Sequence, residues 1–148
     1  MDIEVRKAIS SDYSGICSLI NHELGYPDIT LEELSERLDA MKNAGNYYTF
    51  VAVCKDSIVG FIGITKGMAY EISGEYYRIL AFAVSSKYQN KGIGSLILRY
   101  VENFASQNGI SYFTLSSGMQ RTEAHVFYER NGYKKMSYSF SKGSKHHM

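Results

Sequence analysis

"YQNKGIGS", residues 88–95, sets two glycines, a lysine and two amide side chains into eight positions. The apolar run "ILAFAV" (79–84) comes just before it. From Gly92 onward Ile93, Leu96, Ile97, Tyr100, Val101 and Phe104 recur at i, i+3, i+4, i+7, i+8 and i+11, the clearest helical period in the chain. A strand, a glycine-rich turn and a helix therefore follow one another. The first-turn N–H groups of such a helix point outward beside the positive end of its dipole. Glycine lets a ligand reach that backbone with no Cβ in the way. The geometry suits a pyrophosphate, although a tight corner with a polar surface fits the same residues. A nucleotide P-loop is excluded, because GxxxxGK[ST] is absent. A dinucleotide fingerprint is excluded too, because Ile97 stands where its third glycine would be.

Working outward, "IEVRKA" (3–8) alternates as a half-buried strand does. A helix follows within 10–24, with Tyr13, Ile16, Leu19, Ile20 and Glu23 at helical spacing and Ser11 and Asp12 as capping residues. "GYPD" (25–28) breaks it. "TLEELSERLDAMKN" (30–43) restarts a helix with a capping box, Thr30 and Glu33, and a stripe of Leu31, Leu34, Leu38 and Met41. Residues 47–67 predict a β-hairpin turning at Lys55, Asp56 and Ser57. "MAYEISGEY" (68–76) reads as an irregular connection, and "YRILAFAV" (77–84) as a strand buried on both faces. Beyond the central helix come a strand in 108–117, a helix over 121–132 closed by Asn131 and Gly132, a final strand over 133–142 and a loose tail, 142–148. The order β-α-α-β-β-β-α-β-α-β is mixed α/β and too rich in hairpins for a doubly wound sheet.

The 148 residues suit one domain, 1–148. With 45% hydrophobic and 21% charged residues, the composition is globular. Sixteen basic against 15 acidic residues leave a net charge of +1, so there is no global field for nucleic acid and any anion must be held locally. Cys17 and Cys54 lack CxxC spacing, which argues against a zinc site or a disulfide framework and for two small core residues in a reducing cytoplasm. No apolar stretch predicts a signal or a membrane span. The expectation is a cytoplasmic protein with no metal.

Two motifs carry a resemblance. Gln89, Gly92 and Gly94 form Q-x-x-G-x-G after an apolar strand, and "AHVFYERNGY" (124–133) has the form A-x-x-F-Y-x-x-x-G-[FY]. Together, in this order, they resemble the GNAT superfamily of N-acetyltransferases. The resemblance implies a mostly antiparallel central sheet flanked by helices, with a splayed central strand pair, and acetyl-CoA as the cofactor. It implies that the backbone of Phe82, Ala83 and Val84 holds the pantetheine. It places the pyrophosphate on the amides of Gln89, Asn90, Lys91, Gly92, Ile93, Gly94 and Ser95. Arg121, where many relatives carry an asparagine, either touches the cofactor or braces the loop 116–120.

Acyl transfer to an amine poses two proton problems. An alkyl amine of ordinary pKa near 10.4 must lose a proton before it attacks, and the leaving thiolate must gain one. A phenol holds its proton at pH 7 and can donate it; the resemblance assigns this to Tyr128. The base is less determined. Related enzymes often carry a glutamate on the strand before the turn, whereas Ala81 occupies that position here. Glu71 and Glu75 in the connection before that strand, Glu23 and His22 at the end of the first helix, and His125 are the candidates.

The segment containing "ELGYPDITLEE" is similar to small-molecule N-acetyltransferases, including aminoalkylphosphonate acetyltransferases. Glu23, Tyr26, Tyr70, Glu71 and Tyr76 would make an acidic and aromatic pocket for an ammonium group, and Arg78 is the strand candidate for an anionic one. A small primary amine is the expected substrate. Protein N-terminal or lysine acetylation, and a non-catalytic acyl-CoA sensor, are the alternatives. The aromatic last strand predicts an exposed edge on which a homodimer can form.

Overall fold

The structure, a computed structural model, describes residues 1–143. The chain gathers into two compact units, Met1–Leu115 and Ser116–Met148. The tail expected over 142–148 lies outside the described residues from 144 onward.

The first unit holds β1 (Glu4–Lys7), α1 (Tyr13–His22), α2 (Leu31–Ala44), β2 (Tyr47–Cys54), β3 (Ser57–Met68), β4 (Glu75–Val84), α3 (Ile93–Gln107) and β5 (Phe113–Leu115). The strands form one sheet in the order β1-β2-β3-β4-β5, antiparallel except for the parallel pair β4 and β5. Between β2 and β3 the chain reverses on Lys55 and Asp56 alone, both at positive φ, and Ser57 already pairs with Cys54. Two positive-φ residues suit the right-handed twist of the flanking strands.

Neighbouring residues of β2 point to opposite faces and so sort the core into two layers. Val51 joins Ile16, Cys17, Leu19, Leu34, Phe61 and Ala83 under α1 and α2. Phe50, on the other face, meets Phe104 and Tyr100 of α3 edge to face, at 5.1 and 5.4 Å between ring centres, and Tyr77 stacks on Phe104 at 6.0 Å. Cys17 and Cys54 are buried free thiols, as their apolar settings suggest.

β4 departs from the strand read in the sequence. It begins at Glu75, and β3 extends to Met68 to meet it, so the irregular connection shrinks to 69–74. Gly63 pairs with Ala81 and Ile64 with Ile79, which leaves Leu80 as an extra, exposed residue. This bulge reverses the alternation. Tyr77 faces α3, whereas Ala83 faces α1 and α2. β4 thus packs against helices on both faces, but only Tyr77, Ile79 and Ala83 are fully buried, so it is less buried than its apolar run suggests. The ladder between β4 and β5 covers only Tyr77, Arg78 and Ile79, and β4 runs on to Val84 past the end of β5. That early end is the splay expected of the central strand pair.

Two other expectations change. Asp12 does not cap α1 with its side chain. Its buried carboxylate instead accepts from Arg6 Nη1 and Nη2, at 2.7 and 3.0 Å, and from the Ile9 amide at 2.8 Å, because a carboxylate out of water needs several donors. The Thr30–Glu33 capping box forms as read, but Leu31 of its stripe is 45% exposed.

The second unit contains α4 (Thr122–Arg130), and among the described residues 133–142 form no strand. The alternation of Met136, Tyr138 and Phe140 is present, yet all three are at least 77% exposed. Alternation marks a face, and a strand also needs a neighbour to complete its ladder. The edge expected to seat a second copy is thus not formed there. Among the described residues no helix is long and apolar enough to cross a membrane.

Candidate active site

The glycine-rich turn has the local geometry its composition suggests. After Val84 the chain makes a single 3₁₀ turn, Ser86–Tyr88, extends through Gln89, and takes positive φ at Asn90 (63°) and Gly92 (79°). Gly92 is the residue before α3 and has no side chain to cap it. The first α-helical bond runs from the Leu96 amide to the Gly92 carbonyl at 3.0 Å. The N–H groups of Ile93, Gly94 and Ser95 thus precede the helical ladder, gathered at the positive end of a 15-residue helix. Gln89 closes the turn from within, its side-chain amide donating to the Val84 carbonyl at 3.3 Å. A Cβ added at Gly92 would meet no atom within 4 Å, so the space over the turn is open.

Lys91, Gly92, Ile93 and Arg99 line one open cleft together with Met1 and Asp2. Arg99 was missed in the sequence. Its signal was its place seven residues beyond Gly92, two helical turns along the same face.

In the second unit Tyr128 packs edge to face against Phe127 and Tyr133, at 5.5 and 5.8 Å between ring centres. Burial pushes its phenol above the usual tyrosine range, with the Arg121 charge opposing, so the hydroxyl keeps its proton at neutral pH. His125 Nε2 lies 2.8 Å from the Gly118 carbonyl oxygen, which can only accept, so Nε2 carries the proton and donates it. The Arg121 amide donates to the same carbonyl at 3.0 Å. Backbone and histidine together brace the loop entering α4.

The acceptor and base candidates scatter. Tyr70 and Glu71 lie on the exposed turn between β3 and β4. Glu75 opens β4 and pairs with Lys66 at 3.9 Å, with nearly half of its side chain exposed. From Glu75 to Val84, β4 spans about 30 Å of extended chain, so these three residues stand at the opposite end of the strand from the glycine turn. Arg78 sits between them, paired in register with Thr65 and Thr114. Tyr26 is 59% exposed in the connection between α1 and α2. Glu23 Oε2 accepts from the Ser86 amide at 2.9 Å, which ties it to the start of the 3₁₀ turn before Gln89.

Residues 13–133 match the sequence profile of the Acetyltransferase (GNAT) family. The chain is 29% identical over 143 residues to the aminoalkylphosphonate N-acetyltransferase of Salmonella typhimurium, a match covering 94% of this chain and 90% of that protein. It is 28% identical over 116 residues to the uncharacterized N-acetyltransferase YhdJ of Bacillus subtilis, covering 78% and 81%. Among solved structures, a GNAT family acetyltransferase from Staphylococcus aureus superposes with a TM-score of 0.81 at 32% identity, over 97% of this chain and 99% of that one. The strand, the glycine turn and the helix of the first unit, with the tyrosine-bearing helix of the second, belong to an acyltransferase of the GNAT acetyltransferase family.

Proposed function

We propose that the protein transfers an acetyl group from acetyl-CoA to the primary amine of a small molecule, by direct attack with both substrates bound. The observation that carries this reading is the Gly92 junction, where left-handed backbone and a side-chain-free position leave the first amides of α3 open to an anion. The pyrophosphate of acetyl-CoA belongs on the amides of residues 89–95, with Lys91 and Arg99 adding positive charge along the same cleft. The pantetheine belongs along Phe82, Ala83 and Val84, past the point where β5 stops pairing with β4.

Tyr128 is the acid that returns a proton to the leaving thiolate, its hydroxyl being protonated at neutral pH. For the amine, β4 carries no carboxylate from Tyr76 to Val84. Deprotonation therefore falls to solvent or to a group beyond that stretch, Glu71, Glu75 at the start of β4, or His125. A small-molecule acceptor is supported by the match along nearly the whole length of an aminoalkylphosphonate N-acetyltransferase.

Titration calorimetry with acetyl-CoA, followed by a panel of amines and peptides with thiol detection, tests the reading. Micromolar binding that weakens with dephospho-CoA and turnover on free amines are expected. No binding at millimolar acetyl-CoA would sink it, and turnover on peptides alone would move the acceptor to protein.

A further inference from the structure

We infer that Glu23 is a positioning residue that holds the cofactor turn through the Ser86 amide; this rests on the reading that acetyl-CoA occupies residues 89–95. Glu23 follows the last turn of α1, and its own amide bonds the Leu19 carbonyl at 2.8 Å. Its carboxylate reaches 63 residues along the chain to accept from Ser86 at 2.9 Å. Ser86 opens the 3₁₀ turn Ser86–Tyr88, and its amide is a helix-start donor that the preceding Ser85 leaves without a side-chain cap. Glu23 supplies the missing cap from another element, with a charged acceptor at the positive end of the turn.

The same end of α1 holds the acceptor-side connection. Asn21 Nδ2 donates to the carbonyls of Tyr26 and Ile29, at 2.8 and 3.0 Å. Behind both residues, Ile16, Cys17 and Leu19 are packed in the core, so α1 is a fixed base. One rigid helix end therefore sets the 24–30 connection and the start of the cofactor turn. Releasing Ser86 frees the turn that must be ordered when the pyrophosphate docks, and binding then has to supply that order. The loss should appear in acetyl-CoA affinity rather than in the rate of the bound complex.

Ser86→Pro gives a complementary probe. Proline lacks the N–H, suits the first position of a helical turn, and favours an extended residue before it, and Ser85 is extended at φ −55° and ψ 135°. The experiment measures acetyl-CoA affinity by calorimetry, and kcat and KM for both substrates. It compares the full-length wild type with Glu23→Ala, Glu23→Gln, Ser86→Pro and the Glu23→Ala/Ser86→Pro double variant. Glu23→Ala and Ser86→Pro should each weaken acetyl-CoA roughly three- to tenfold, the size of one net hydrogen bond, with kcat nearly unchanged. The double variant should be no weaker than either single one. Glu23→Gln keeps a carbonyl oxygen for the amide and should retain most of the acetyl-CoA affinity that Glu23→Ala loses. Wild-type affinity in both single variants, or effects that multiply in the double variant, would overturn the inference. So would a raised amine KM in Glu23→Ala with acetyl-CoA affinity intact, which would make Glu23 an ammonium ligand instead. Absence of acetyl-CoA binding by the wild type would instead remove the cofactor reading, and this inference with it.

Discussion

Gly15 of α1 lies so close over Ile58 of β3 that a Cβ added to it would stand 2.6 Å from Ile58 Cγ1 and 2.7 Å from Ile58 Cβ. The second of these atoms is fixed to the backbone, so rotation of the side chain cannot relieve the overlap. Gly15→Ala must lift the helix. The expected destabilisation is about 1–3 kcal/mol, as for other overpacked cores, even though alanine favours a helix. Urea unfolding reads it as a lower midpoint. An unchanged midpoint would show that α1 slides freely over the sheet.

The Arg6–Asp12 pair joins β1 to the start of α1 at 2.7 Å. The guanidinium and the Ile9 amide hold the Asp12 carboxyl below its ordinary range, against an opposing effect of burial. A carboxyl whose folded pKa is depressed contributes stability in full above its unfolded value, near 3.9, and loses it as pH falls through the folded pKa. Asp12→Ala should destabilise the fold by about 1–3 kcal/mol at pH 7, because it strands a hydrogen-bonded charge. Asp12→Asn should flatten the stability curve below about pH 4. An acid limb identical to wild type in Asp12→Asn would assign it to other carboxylates.

Gly92→Val combines two effects at one position. The residue sits at φ 79°, where a β-branched side chain is strained, and its added atoms enter open space rather than protein. Under the proposed function that space is the pyrophosphate's approach path. The folded variant should therefore lose acetyl-CoA binding in calorimetry. Gly92→Ala, with a strain of about 1–2 kcal/mol, should weaken binding less. Unchanged affinity in a folded Gly92→Val protein would mean that the turn is only a corner.

Tyr128→Phe removes the phenolic proton and keeps the ring contacts with Phe127 and Tyr133. If Tyr128 is the acid, kcat should fall on the order of a hundredfold while the KM for acetyl-CoA holds. The raised phenol pKa also sets a sign. The protonated form, and whatever stability it brings, persists below the unfolded value near 10 and is lost as pH rises through the folded one. Equal losses in kcat and in cofactor affinity would make Tyr128 a packing residue.

Without a carboxylate along β4 from Tyr76 to Val84, the fraction of neutral amine should limit the reaction. kcat/KM should then rise with pH toward the pKa of the amine itself, near 10.4 for an alkyl ammonium, and the rise should move when an amine of lower pKa is supplied. A plateau at one pH for every amine would reveal a dedicated base on the protein, to be sought at Glu71, Glu75 and His125.

Local chemistry decided most of what the sequence alone determined. The 3.6-residue period after Gly92, the Thr30–Glu33 capping box and the order of the elements through α4 all rest on interactions spanning a few residues. The positive φ at Gly92 belongs to the same class, because only the glycine and its immediate neighbours are needed to make that turn. What the tertiary structure decided depends on partners far along the chain. Leu80 is extruded because Gly63 and Ile64 pair with the residues on either side of it, and no periodicity within "YRILAFAV" reveals that. Asp12 leaves its helix for Arg6 because burial makes a charged partner worth more than a cap. Residues 133–142 alternate like a strand without forming one, since a strand exists only through its neighbour. Glu23 was readable as an acidic residue near an acceptor segment. That its carboxylate holds Ser86 follows from folding α1 against the β4–α3 junction, a contact 63 residues long in sequence and 2.9 Å in space.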